Sequence, residues 1–271
     1  MQIGYSLIFA LVAAVAGRNC GAPEPSPEHK KLSAQMALQA ANDPSIHEMA
    51  AAATLVVDTY FHVIQSGTSL AQGNVPDSQL ANQLKVLNAG YASAGISFNL
   101  LGTTRTTNKS WFQDGDEAAM KKALRKGDYK TLNVYFMGLG GDLLGYCYFP
   151  DVNNADNLLY DGCSILFSSV PGGSTASYNL GLTATHEIGH WFGLYHTFQD
   201  GCAGGDLISD TPAESTPTSG CPTSKDTCTG TLYPGVDPIH NFMDYSTDIC
   251  MTQFTPGQAT RMFQQFNQYR A

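Results

Sequence analysis

Charge is scarce in this chain of 271 residues. Only 14% of them are Asp, Glu, Lys or Arg, and the 14 basic side chains are outnumbered by 23 acidic ones. With a net charge of −9 there is no basic surface for nucleic acid. Long apolar runs are missing too: after the first twenty residues nothing approaches the ~20 apolar residues of a membrane-spanning helix. What is plentiful is glycine, at 27, and cysteine, at seven, the composition of a secreted, loop-rich, disulfide-bonded protein. The length suits one domain of about 200 residues with its own core, plus removable segments.

The early apolar run, Leu7 to Ala16, has the length of a signal peptide and ends in Ala14-Val15-Ala16, an A-x-A cleavage pattern. No Lys or Arg precedes it, so the α-amine alone supplies its positive end. A lipid anchor at Cys20 is disfavoured because Asn19, not a small residue, precedes it. Residues 1–16 are therefore predicted to be a signal peptide, and the protein to be extracellular. Residues 17–53 change character, with Pro23, Pro25 and Pro27 leading into an Ala-rich stretch, Leu32 to Ala53, that predicts one or two short helices. Too poor in large apolar residues to fold alone, this segment is predicted to be a propeptide or an arm packed on the next domain.

The globular domain is assigned to residues 54–271. Leu55 to Ile64 is β-branched and aromatic, hence a strand. Asp77 is placed as the N-cap of a helix carrying Leu80, Leu84, Leu87 and Tyr91 on one face. Strands follow at Ile96–Leu101, Leu132–Met137 and Leu143–Phe149, with a helix over Asp116–Arg125. Alternating strands and helices predict an α/β (α+β) fold with a twisted mixed sheet. Asn108-Lys109-Ser110 is a glycosylation sequon in a polar loop. Thr255-Pro256 starts a final helix with Met262, Phe266 and Tyr269 on its packing face.

The chemistry concentrates in His186-Glu187-Ile188-Gly189-His190-Trp191-Phe192-Gly193-Leu194-Tyr195-His196. Two histidines four apart on a helix share a face and can reach one metal ion. Gly193, free to adopt a left-handed conformation, breaks the helix and turns His196 back as a third ligand. Glu187 lies where its carboxylate can reach a metal-bound water without binding the metal. Three imidazoles, one open position and one base form the plan of a catalytic zinc site.

The pattern H-E-x-x-H-x-x-G-x-x-H resembles the metzincin metallopeptidases. Thr197 after the third histidine, Met243 and Tyr245 in Asn241-Phe242-Met243-Asp244-Tyr245-Ser246, Cys250 and Phe254-Thr255-Pro256-Gly257-Gln258 narrow the resemblance to the pappalysin-type branch, especially its fungal secreted members. The resemblance implies a metzincin fold with a long zinc-binding helix and a small, irregular, disulfide-stapled C-terminal subdomain ending in a helix. It implies Met243 in a tight turn beneath the metal and the Tyr245 hydroxyl near it, aimed at the oxyanion of the reaction. It implies that the strand upstream of the metal helix is the upper rim of the cleft, where substrate pairs edge to edge.

Of the seven cysteines, four follow the metal helix, and the resemblance implies the pairs Cys202–Cys228 and Cys221–Cys250. Cys147 and Cys163 remain to pair across a short hairpin-like segment, although spacing alone does not fix connectivity. The odd thiol is Cys20, in Arg18-Asn19-Cys20-Gly21, which resembles the cysteine-switch sequences whose thiolate occupies the open zinc position of a latent enzyme. Asp200, Asp206 and Asp210 have no EF-hand spacing, but the resemblance admits a calcium ion there. The function expected is a secreted, monomeric zinc endopeptidase (EC 3.4.24 class) made as a zymogen and acting on protein or peptide substrates. In it, a zinc-bound water activated by Glu187 attacks the peptide bond. A non-catalytic zinc-bearing binding protein on the same fold is the alternative, against which the intact Glu187 argues. A zinc amidase for small molecules is disfavoured by Gly193 and His196.

Overall fold

A computed structural model describes residues 17–152 and 154–271, and the signal-peptide reading of residues 1–16 lies outside the described residues. Two helices lead, α1 (Pro27–Asn42) and α2 (Ser45–Ala52). Then come β1 (Leu55–Gln65), α3 (Asp77–Tyr91), β2 (Ile96–Thr107), the single turn α4 (Lys109–Phe112), α5 (Glu117–Leu124) and β3 (Leu132–Met137). They are followed by β4 (Gly145–Cys147), α6 (Ala155–Tyr160), β5 (Cys163–Leu166), α7 (Leu182–Trp191), the short α8 (Gly201–Gly204) and α9 (Pro256–Tyr269).

The sheet has the order β2-β1-β3-β5-β4. Four strands are parallel, and β4 alone runs antiparallel, against β5, at the edge. Central β3 is buried on both faces, and its period of two sorts its side chains. Val134 and Phe136 enter the main core with Phe61, Val63, Leu87, Tyr91 and Ile188, whereas Tyr135 and Met137 enter a second cluster with Ile64 and Met120. Each such side chain contributes about 1.5–3 kcal/mol by leaving water. On the main-core side α7 is seated against α3, where the Tyr91 hydroxyl donates to the Thr185 carbonyl at 2.9 Å and Gln83 donates to the Gly181 carbonyl at 2.9 Å.

Three sequence expectations are corrected. Asp77 is the first residue of α3 rather than its cap: Pro76 holds the cap position, and the Asp77 carboxylate pairs with Arg105 of β2. The second strand continues past Leu101 to Thr107, with a bulge opposite Thr59/Tyr60; as an edge strand with an exposed face it accommodates the threonines that resemble a loop. The strand expected over Leu143–Phe149 is shortened to Gly145–Cys147. The sequence also left β5 unassigned. Cys147 and Cys163 sit opposite each other on β4 and β5 and are disulfide-bonded, but the connection holds α6 and is no simple hairpin.

Beyond α7 the chain is largely irregular, with bridges Cys202–Cys228 and Cys221–Cys250. It ends in α9, capped by Thr255 and Gln258, with Asp210 accepting from the Thr255 hydroxyl at 2.7 Å. Residues 17–53 wrap this domain. Their extended start pairs with the free edge of β4, Leu144 N–H to Asn19 at 2.9 Å and Gly21 N–H to Gly145 at 2.8 Å, in parallel sense. Farther on, His47 of α2 bonds Thr260 of α9 at 2.9 Å.

Candidate active site

Helix α7 is buried from Thr183 to Trp191, so its polar residues are held away from water by the sheet and α3. His186 and His190, one turn apart, have ring centroids 5.0 Å from each other. The helix stops after Trp191, and Gly193 turns the chain with φ of +85°; a Cβ there would lie 2.7 Å from Gln265, so both conformation and space call for glycine. The turn brings His196 back to 4.5 Å from His190 and 5.2 Å from His186, ring to ring.

Hydrogen bonds set the ring protons. His186 Nδ1 lies 2.7 Å from the Phe242 carbonyl, and His190 Nδ1 lies 2.8 Å from the Leu194 carbonyl. A carbonyl only accepts, so each proton sits on Nδ1 and each Nε2 presents a lone pair. His190 Nε2 and His196 Nε2 approach to 3.1 Å, a spacing that suits two ligands of a tetrahedral ion with metal–nitrogen bonds of ~2 Å. Burial depresses all three histidines, His190 to about 4 and the others well below their usual range, which keeps them neutral as metal ligands must be. Buried His186 Nε2 has no protein partner. The donor set therefore fits a metal ion.

Cys20 completes the group: its Sγ and the three imidazoles offer ligand atoms all within 4.8 Å of one another. The thiol donates to Glu187 Oε2 at 3.2 Å and accepts from the Ala22 N–H at 3.3 Å. Burial, reinforced by the Glu187 charge, pushes the thiol well up. Burial likewise raises Glu187 to about 8, opposed by the Cys20 bond and by Arg18. Tyr245 stands at the rim, its ring 5.0 Å from His196, and its hydroxyl accepts the Cys20 N–H at 3.3 Å. Met243 is buried beneath, so close to Gly189 that a Cβ there would collide with the sulfur.

Other expected residues lie apart from this group. Asn108 caps α4, its Oδ1 accepting from Trp111 N at 3.1 Å. Asp200, Asp206 and Asp210 do not converge: they engage Lys30, Thr211 and the start of α9 respectively. The cysteine–histidine set is the one cluster of potential ligands found among the described residues. Sequence reasoning placed Arg18 in the switch-like motif but missed its partner Asp248; the two side chains meet at 2.7 Å with no exposure. The Arg18 guanidinium lies over the Tyr178 ring at 5.2 Å, and Leu180 N–H donates to the other Asp248 oxygen at 2.9 Å. No local signal joins residues so far apart in the chain.

A buried three-imidazole centre with a carboxylate beside it, under the edge strand of a mixed sheet, defines a metal-dependent hydrolase. Residues 118–267 match the profile of the peptidase family described as pregnancy-associated plasma protein-A. The chain is 54% identical to an extracellular metalloprotease of Colletotrichum graminicola, covering 100% of both. It is 51% identical to one of Neurospora crassa, covering 97% of this chain and 92% of that one. Its fold is similar to that of mature mirolysin of Tannerella forsythia in complex with a cleaved peptide: TM-score 0.68 at 32% identity, over 79% of this chain and 92% of that chain. A promirolysin mutant of the same organism gives TM-score 0.70 at 29% identity, over 92% of this chain and 94% of that chain. The chain belongs to the pappalysin family, as an extracellular metallopeptidase acting on proteins or peptides.

Proposed function

We propose that this chain is a zinc endopeptidase, acting as a monomer and made as a latent proenzyme. In this reading His186, His190 and His196 hold the zinc, Glu187 is the base, and residues 17–53 are the inhibitory segment, with Cys20 as the fourth ligand of the latent form. The observation that carries the reading is the meeting of Cys20 Sγ with the three imidazoles, next to Glu187. That the proenzyme relative matches more of the chain than the mature one supports a removable arm.

Zinc supplies a Lewis acid that acidifies water and polarises a carbonyl oxygen. The chain's own groups do the rest. Glu187, released from the Cys20 thiol, takes a proton from the attacking water and passes it to the leaving amine. Tyr245, released from the Cys20 N–H, turns its hydroxyl proton toward the oxyanion. Leu144 N–H and Gly145 C=O on the edge of β4, now paired with Asn19 and Gly21, become free to align an extended substrate. Asp248, now paired with Arg18, would be left as a buried carboxylate able to pair with a cationic substrate side chain.

The test is hydrolysis of denatured casein by the full secreted chain before any arm removal, comparing wild type with Cys20→Ser. The variant should be active while the wild type is latent. A variant no more active than wild type would end the latency assignment.

A further inference from the structure

The three imidazoles are not held alike. His186 and His190 each donate from Nδ1 to a backbone carbonyl. For His196, no acceptor for Nδ1 is found among the described residues; its ring stacks on Phe198 (centroids 4.8 Å, planes 7° apart) and meets Tyr245 edge-on at 5.0 Å. Stacking leaves a ring free to slide in its own plane, so the backbone beside it must fix where Nε2 points.

That backbone is anchored through Thr197. Its N–H donates to the Met243 carbonyl at 3.3 Å, and its hydroxyl donates to Glu214 Oε2 at 2.7 Å. Glu214 is fully buried, a costly place for a carboxylate without partners. Its other oxygen accepts from the Thr218 hydroxyl at 3.1 Å and from Lys225 Nζ at 2.6 Å. Lys225 also meets the buried Asp237 carboxylate at 3.0 Å and donates to the Thr216 carbonyl. Asp237 is fixed in turn by the N–H and hydroxyl of Thr227. A third buried carboxylate, Asp244, accepts from Thr218 N–H at 2.9 Å and lies next to Tyr245. Among the described residues no other Lys or Arg pairs with Glu214 or Asp237. Lys225 itself lies between Cys221 and Cys228, both disulfide-bonded, so the ammonium is presented from an anchored loop.

We propose that Lys225 is a positioning residue for the metal centre: by pairing with Glu214 and Asp237 it keeps Glu214 on Thr197 and thereby sets the third ligand, His196. The inference rests on the three histidines being the zinc ligands. Without the ammonium, Glu214 and Asp237 lose the cation they share, Glu214 is no longer held in place, and Thr197 loses its fixed acceptor.

The test is zinc competition against a chelator of known affinity, on the full chain well below its Tm. The variants are Lys225→Met, Lys225→Arg, Thr197→Val and the Lys225→Met/Thr197→Val pair, with Lys225→Gln in place of Lys225→Met should the latter not fold. Losing an outer partner of a metal ligand typically costs about 10–100-fold in metal affinity, and a loss at the lower end is expected for Lys225→Met and for Thr197→Val. Lys225→Arg should recover most of it. The double variant should lose no more than the worse single, because both act through one chain of contacts. A purely structural lysine would lower Tm and leave zinc affinity at the wild-type value; that result, or additive losses in the double variant, overturns the proposal. A wild-type chain that binds no zinc overturns the proposed function and this inference with it, before any variant is compared.

Discussion

Glu187 and Asp248 are both buried carboxylates engaged by the arm, and they hold different parts of it. Glu187 accepts the Cys20 thiol, while Asp248 pairs with Arg18 two residues earlier. Glu187→Ala removes no imidazole, so the protein should keep its zinc while hydrolysis of casein falls by about 10²–10⁴-fold, the usual worth of a positioned acid–base group. Zinc content measured beside activity checks this, and a variant keeping about a tenth of the wild-type rate removes Glu187 from the role. Asp248 accepts the Leu180 N–H on one oxygen, and loss of Arg18 would leave the other oxygen without its partner. An unpaired buried charge of this kind selects for a cation. Asp248→Leu should lower kcat/KM by roughly 10²-fold for peptides that place Lys or Arg there and spare those that place Leu, since truncating one partner of a buried charge pair costs about 2–5 kcal/mol. Peptide-library profiling that finds the same preference in both proteins would refute this role for Asp248.

At the scale of the element, the arm is held by polar anchors together with buried side chains, Met36 and Ala50 among them. A cavity of about 560 Å³ lies between α1, at Ala34, Ala37 and Leu38, and the loop around Leu207–Ala213. Along the rest of α1, Ser33 joins Tyr195 and Gln265, and His29 lies buried among Phe149, Tyr195 and Tyr269, its Nδ1 2.7 Å from the Tyr195 hydroxyl. Burial lowers His29 to about 4; Asp151 opposes the shift and Arg261 adds to it. The free arm, with His29 at its ordinary value near 6.5, binds a proton more readily than the docked arm. The contribution of His29 to docking is therefore full above about pH 6.5 and is lost as pH falls toward 4, by up to about 3 kcal/mol. Buried His62 of β1 is also lowered to about 4, so the domain loses stability over the same window. His29→Phe separates the two. Proteolytic release of the arm should accelerate between pH 7 and pH 4.5 in wild type and much less in the variant; equal acceleration in both would remove His29 from the account.

Across the whole molecule, what was legible in sequence was what local geometry fixes. His186 and His190 share a face because a helix has 3.6 residues per turn, and Thr255-Pro256 announces α9 because cap and first-turn preferences act within a few residues. Leu132–Met137 was legible because a strand buried on both faces is a nearly continuous apolar run, interrupted here by Asn133. Strand β5 was not: Cys163–Leu166 is too short to show a period, and it joins the sheet through partners elsewhere in the chain. The pairing of Arg18 with Asp248, 230 residues apart, and the role of Lys225, which reaches the site only through Glu214 and Thr197, left no local trace. In the proposed function the fold holds three neutral imidazoles around one zinc ion, and metal dependence tests this directly. Arm-free enzyme is stripped of metal with a chelator, zinc is added back in steps, and cleavage of denatured casein is followed. Activity should vanish on stripping and return in proportion to zinc until one ion is bound per chain. Cleavage that survives complete metal removal, or that zinc does not restore, contradicts it.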